Sequence, residues 1–147
     1  MICYAVLDTN VLVSALLSNH ADAATVQVIG RMIAGEMIPI YSDQIMREYQ
    51  EVLSRKKFRF EPEMIRYILS AIEKYGVLIE PSATGKILPD MKDLPFYEVV
   101  MEKREENSYL ITGNLKHFPS EPFIVTARQM LDILDGKKIE IEDKKQR

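Results

Sequence analysis

Hydrophobic residues along this chain form short continuous runs that alternate with longer amphipathic stretches. The run over 2–7 has no polar interruption, which is typical of a strand covered on both faces in a parallel sheet. We place the run over 37–41 at a sheet edge or on a bulge, because Pro39 cannot donate a backbone hydrogen bond. Strands are predicted over residues 2–7, 37–41, 77–80, 109–112 and 123–125.

The stretches between these runs have the 3.6-residue periodicity of amphipathic helices. Helices are predicted over residues 11–17, 23–35, 43–55, 62–75, 94–106 and 126–134. Alternation of strands and helices favours an α/β fold in which helices flank a parallel sheet on both faces. We expect a single domain over 1–135, followed by an exposed tail over 136–147 that is rich in Lys and Glu.

The composition of the chain excludes several classes of function. A net charge of −3 argues against a protein whose whole surface binds nucleic acid, although it allows a local site. No apolar run approaches the roughly 18 residues of a membrane span, and the first residues lack the features of a secretion signal. We therefore expect a cytoplasmic protein that does not associate with a membrane. With one cysteine and two histidines, any bound metal needs oxygen ligands.

Polar residues follow the predicted strands. Asp8 comes directly after the first strand, and Thr112 and Asn114 follow the fourth. Asp90 and Asp93 lie in the loop and helix start just before the fourth strand, so they can reach the same rim of the sheet. Since ligands of such sheets bind beyond the carboxyl ends of the strands, an acidic site is expected there.

The helix over 43–55 offers two glutamates. At about 100° per residue its apolar side chains share one face. Glu48 borders that face, whereas Glu51 points toward solvent, so Glu48 is the better candidate for the site. Carboxylates that share a small site repel one another unless cations neutralise them, and the hard ions Mg²⁺ and Mn²⁺ suit such oxygen ligands.

Each candidate also has a purely structural explanation. Asp8 and Asp93 are suited to cap helices, Glu48 to face solvent, and Asn114 to form a turn. The basic and aromatic run over 55–60 is suited either to single-stranded RNA or to the end of a helix, whose dipole attracts cations. Lys116 and His117 are better placed for contact with a phosphate.

Four segments, in order, resemble the motifs of PIN-domain proteins. They are VLDTNVLVSALL at 6–17, SDQIMREYQEVL at 42–53, DMKDLPF at 90–96 and ITGNLKHF at 111–118. The last is similar to the branch that contains VapC-like toxins of toxin–antitoxin pairs. The resemblance implies a PIN-like α/β/α sandwich, metal-dependent cleavage of single-stranded or structured RNA, a homodimer and an antitoxin partner.

The resemblance also implies roles for individual residues. Asp8, Glu48 and Asp93 would be the catalytic, metal-binding carboxylates, with Asn10 and Thr112 as polar neighbours. We assign these two neighbours to substrate binding, together with Lys116 and His117. Asn114 stands where many family members have a fourth catalytic aspartate; its amide brings no charge, so affinity for a second ion should fall unless Asp90 also binds metal.

Two other functions stay open at this stage. The first is a catalytically weak or inactive PIN module that binds RNA or protein, for which Asn114 is the supporting feature. The second is an aspartyl-phosphate phosphohydrolase with Asp8 as nucleophile. We rank it lower, because Asn10 stands where that chemistry usually has a second aspartate.

Overall fold

A computed structural model describes residues 2–136 of the chain. Strands and helices alternate, and each short apolar run of the sequence forms or contains a strand. The elements are β1 (Tyr4–Leu7), α1 (Thr9–Leu17), α2 (Ala24–Ile33), β2 (Ile38–Tyr41), α3 (Asp43–Leu53), α4 (Pro62–Tyr75), β3 (Val77–Leu78), α5 (Leu94–Glu102), β4 (Ser108–Ile111), β5 (Ile124–Val125) and α6 (Ala127–Leu134).

The five strands form one sheet in the order β3-β2-β1-β4-β5, and all neighbouring pairs are parallel. Central strand β1 pairs with β4 from Tyr4 opposite Ser108 to Leu7 opposite Ile111. Parallel pairing brings all the strand carboxyl ends to one edge of the sheet. The predicted fold, a parallel sheet in an α/β/α sandwich, is confirmed.

Both faces of the sheet are covered. Ala5, Val6 and Leu7 point alternately to opposite faces of β1, yet each is at most 1% exposed. Helix α5 packs against β1, β2 and β4, while α2 packs against α1, α4 and α6. A strand buried on both faces explains why the first run is apolar without alternation.

The expectation of an edge position for β2 is wrong, because β2 lies between β1 and β3. On the β1 side its register has no bulge, since Tyr4 and Ala5 pair with the consecutive residues Ile38 and Pro39. The Ile38 N–H donates to the Cys3 carbonyl at 2.8 Å, on the β1 side. The nitrogen of the next residue, Pro39, therefore faces β3, whose pairing starts only with Val77 opposite Ile40. Proline fits inside the sheet because its missing donor faces a position without a partner strand.

Helix boundaries follow local signals. Helix α4 has the predicted bounds, with Pro62 in its first turn and Gly76 directly after it. Helix α5 is shorter than predicted: it ends at Glu102, and a short 3-10 turn, Arg104–Glu106, leads into β4. Before α6, the Thr126 hydroxyl accepts the Gln129 N–H at 3.1 Å, which confirms the predicted cap.

The tail expected over 136–147 lies, beyond Gly136, outside the described residues. Within residues 2–136, no helix is both long enough and apolar enough to cross a membrane.

Candidate active site

A pocket of about 770 Å³ opens at the edge of the sheet where the parallel strands end. Three carboxylates reach it from separate parts of the chain: Asp8 from the end of β1, Glu48 from α3, and Asp93 from the turn before α5. Asn10, Asp90 and His117 also line it. The structure thus brings together most of the site residues that the sequence predicts.

Asp8 is only 5% exposed, and the Thr112 hydroxyl donates to its Oδ2 atom at 2.7 Å. Although Asp8 precedes α1, no side-chain hydrogen bond from it caps that helix. Burial raises the pKa of the Asp8 carboxyl; the Thr112 hydrogen bond and the nearby amides of Thr9 and Asn10 oppose this shift by favouring the charged form. The Asp8 carboxylate is therefore held from inside the protein by Thr112, and the first amides of α1 also favour its charged form.

Glu48 is held by Thr9, whose hydroxyl donates to Glu48 Oε2 at 2.5 Å. The next residue, Tyr49, is buried and donates its hydroxyl to the Leu7 carbonyl at 2.5 Å, which fixes α3 against the end of β1. Burial raises the pKa of Glu48, the Thr9 hydrogen bond lowers it, and the negative charge of Asp8 raises it further.

Asp93 belongs to a chain of hydrogen bonds. His117 Nδ1 lies 3.0 Å from Asp93 Oδ2, and His117 Nε2 lies 2.9 Å from the amide nitrogen of Asn114. If that amide is the donor, the neutral imidazole must carry its proton on Nδ1 and donate it to Asp93. Burial and the charge of Asp8 raise the pKa of Asp93, while His117 lowers it.

Of four other predicted residues, Thr112, Asn114 and Lys116 do not line the pocket, and Asp90 lines it but is exposed. Thr112 is fully buried behind Asp8, so its hydroxyl positions that carboxylate and does not reach the surface that a substrate would touch. Asn114 bonds His117 and is not among the residues that line the pocket. Lys116 is exposed and likewise outside the lining, and Asp90 is exposed and accepts the Lys92 N–H at 2.9 Å, as a cap does.

The donor set suits a hard divalent cation. Asp8, Glu48 and Asp93 supply only oxygen, and each uses one oxygen on a neighbouring hydroxyl or imidazole. The charges of Asp8 and Asp93 raise the pKa of Glu48, and the charge of Asp8 raises that of Asp93; a dication would remove this repulsion. Among residues 2–136, however, no three His, Cys, Asp or Glu side chains lie close enough to bind one ion without adjustment.

A polar stripe on α3 and just beyond it also borders the site, and the sequence pattern gave no role there to Gln44, Arg47 or Glu51. Gln44, Arg47, Glu51 and Arg55 line the pocket beside Glu48. Their spacing of three or four residues places them on one side of the helix, which is the signal that could have found them. Glu51 is largely exposed, as expected, but it also lies at the pocket rim and pairs with Arg55 at 2.9 Å.

The fold and the pocket define a class: a parallel α/β protein with an acidic, oxygen-only site at the carboxyl edge of its sheet. The family model described as PIN domain matches residues 4–116, so the chain belongs to the PIN domain family. PIN domains are generally nucleases that need a divalent metal ion. Searches of curated proteins and of solved structures found no match.

Proposed function

We propose that this protein is a divalent-metal-dependent endoribonuclease that cleaves RNA phosphodiesters. One observation carries the proposal: Asp8, Glu48 and Asp93 come from three separate elements and line one pocket of a PIN fold. Three carboxylates in one pocket repel one another when ionised, which lowers the stability of the fold, so their placement indicates a functional role. Such clusters are typical of sites that bind divalent cations and phosphates.

Asp8 and Asp93 are the residues that would hold Mg²⁺ or Mn²⁺, and Glu48 would hold a second ion or orient the attacking water. The bound cation would supply the positive charge that favours hydrolysis of a phosphodiester. The protein's own residues fix the donors: Thr112 holds Asp8, Thr9 holds Glu48, and His117 holds Asp93.

Substrate contact falls to residues around this centre. Asn10 is exposed and lines the pocket beside Asp8, so it suits the RNA chain near the scissile phosphate. His117 is 40% exposed, so its ring can lie against the substrate while its nitrogens bond Asp93 and Asn114. Lys116, exposed on the turn before His117, supplies a positive charge for a neighbouring phosphate.

We also propose that the protein is a homodimeric, cytoplasmic toxin with an antitoxin partner. This part rests on the resemblance of residues 111–118 to the toxin branch of the family. Growth arrest on induction of the protein, relieved by co-expression of the adjacent gene, is the expected result. Arrest that persists with Asp93→Asn, or no arrest at all, would contradict a toxin role.

The nuclease proposal is tested with purified protein freed of co-purifying partners. Labelled single-stranded and hairpin RNAs are incubated with wild type, Asp93→Asn and Asp22→Asn, each with Mg²⁺, Mn²⁺ or EDTA. Asp22→Asn is the matched control, because Asp22 is exposed and lies outside the pocket. Cleavage should need metal and fall by about 100-fold or more in Asp93→Asn alone, since even residues behind metal ligands contribute about 10–100-fold.

A second function, a binding module without catalysis, is favoured by Asn114. Its amide bonds His117 at 2.9 Å, so a neutral group stands where a fourth carboxylate is common in the family. Absence of cleavage by wild type, together with no metal binding by calorimetry, would support the module. Metal-dependent cleavage lost in Asp93→Asn would exclude it.

A further inference from the structure

A second pocket, of about 570 Å³, lies between the end of α3 and helix α4. Its charged lining is mostly basic: Arg55, Lys56, Arg59 and Arg66 face a single acidic residue, Glu73. The whole chain has a net charge of −3, so this basic pocket is a local reversal of the protein's overall charge. Such a concentration of cations attracts anions to one place on the surface.

These cations are available to a ligand. Lys56, Arg59 and Arg66 are exposed, and within residues 2–136 none of them takes part in an ion pair. Arg55 pairs with Glu51 at 2.9 Å, but both side chains are about half exposed or more, at 48% and 64%. An exposed pair of this kind is weak enough for Arg55 to exchange its partner for a phosphate.

The turn that carries the cations is fixed by its aromatic residues. Phe58 and Phe60 stack on each other at 5.3 Å between ring centroids, and Phe60 packs against the core. Between them Arg59 adopts a left-handed conformation, with φ of 56°, and its N–H donates to the Lys56 carbonyl at 3.2 Å. The two rings therefore organise the turn, and the basic side chains are left for the ligand.

The basic pocket borders the acidic one at Arg55, which lines both. We infer that the RNA strand leaving the acidic pocket passes Arg55 and places its phosphates on Lys56, Arg59 and Arg66. This inference rests on the proposed function and assigns it a single-stranded substrate. A concave basic groove follows the backbone of one strand, and a series of cations beyond a cleavage site suits a polymer better than an isolated phosphate.

The test measures RNA binding without metal, so that it does not depend on cleavage. Anisotropy of a labelled, unstructured oligouridylate of about 20 nucleotides is followed in EDTA with the full-length protein. The variant of the basic pocket, here called the groove variant, combines Lys56→Gln, Arg59→Gln and Arg66→Gln. These changes remove charge but keep long side chains. Arg55 is left intact because it borders the acidic pocket.

The matched control has the same change in net charge at three exposed cations outside both pockets. It combines Lys74→Gln, Lys86→Gln and Arg128→Gln. The groove variant should bind about tenfold or more weakly, and its slope of log affinity against log salt should fall by about 2, since each contact with a single-strand phosphate contributes about 0.7. The control should stay within about twofold of wild type. Circular dichroism verifies that both variants fold.

Outcomes for the groove and for the nuclease are separable. Equal losses in both variants, or no loss in either, would overturn the assignment of the groove even if wild type cleaves RNA. Tight binding of polyglutamate that RNA does not displace would also overturn it, in favour of an acidic protein partner. A groove-specific loss in a protein that never cleaves RNA would support the groove and reject the nuclease.

Discussion

The hydroxyl of Thr112 is expected to hold the centre of the site together. It donates to Asp8 Oδ2 at 2.7 Å and accepts the Asn114 N–H at 3.0 Å, and Thr112 is fully buried. Thr112→Val keeps the shape of the side chain but removes both bonds. The buried Asp8 carboxylate then loses a donor, and the backbone N–H of Asn114 loses its acceptor.

The magnitude follows from the kind of bond. A hydrogen bond to a charged group contributes roughly 1.5–3 kcal/mol and a neutral one about 1 kcal/mol. At about pH 7 and without metal, Thr112→Val should therefore lower the free energy of unfolding by about 2–4 kcal/mol. The Thr112 bond favours ionised Asp8, so its loss raises the pKa of Asp8 beyond the increase already caused by burial.

The sign of the pH dependence follows. At neutral pH the Thr112→Val variant lacks a hydrogen bond to a charged carboxylate. Once Asp8 is protonated at lower pH, the bond that the variant lacks is one to a neutral carboxyl, which contributes less. The cost of Thr112→Val should fall to about 1–2 kcal/mol at pH values below the raised pKa of Asp8. Urea unfolding in EDTA at a series of pH values from about 7 downward, to the lowest pH at which the protein stays folded, measures this change.

Thr112→Ser is the matched control, because it keeps the hydroxyl and loses only a buried methyl group, at a cost of about 1 kcal/mol. The difference between the two variants isolates the hydroxyl. If Thr112→Val costs no more than Thr112→Ser at neutral pH, or costs the same across the whole pH series, the Thr112 hydroxyl does not support an ionised Asp8.

Two further predictions concern stability. Glu48→Gln should stabilise the metal-free protein by up to about 1 kcal/mol at neutral pH, since Glu48 has a raised pKa and its ionisation therefore costs stability as pH rises through that pKa. The gain in stability should vanish at low pH and turn into a loss with Mn²⁺. Thermal unfolding at several pH values, with EDTA or Mn²⁺, measures this gain. A gain that persists in acid would show that ionisation of Glu48 is not its cause. Gly76→Ala should destabilise by about 2–4 kcal/mol, because its Cβ would lie 2.3 Å from the Ile72 carbonyl oxygen and 2.6 Å from that of Pro39. Gly30→Ala is the control: nothing lies within 4 Å of the added atom, so it should stabilise helix α2 by about 0.5–1 kcal/mol. Similar effects at the two glycines would show that packing around Gly76 is not tight.

Much of the architecture follows from local patterns in the sequence. Continuous apolar runs and helical periodicity give the order of elements and the parallel sheet, and parallel strands bring Asp8 and the residues after β4 to one edge. Helical periodicity also separates Glu48, which is held by Thr9, from the largely exposed Glu51. These features depend on neighbours within a few residues, so the sequence alone indicates them.

Pro39 is a position at which a rule based on residue type alone predicts the wrong structure. The chemistry of Pro39 suggests an edge strand, yet β2 lies inside the sheet. What matters is the direction in which its nitrogen faces and where β3 starts to pair, and both depend on how the strands are arranged. No pattern within the run over 37–41 contains that information.

The contacts that build the candidate site also come from tertiary structure. Thr112 reaches Asp8 across 104 positions of sequence, and Thr9 reaches Glu48 across 39. Sequence position alone leaves Asp8 open as a helix cap or as a site residue. Its buried partner Thr112, directly after the strand next to β1, can only be seen in the tertiary structure. Local periodicity is enough to predict the elements and the edge at which their polar ends meet. Which side chains bond one another, and that Arg55 lines both pockets, depends on strand order and helix packing, which no local pattern contains.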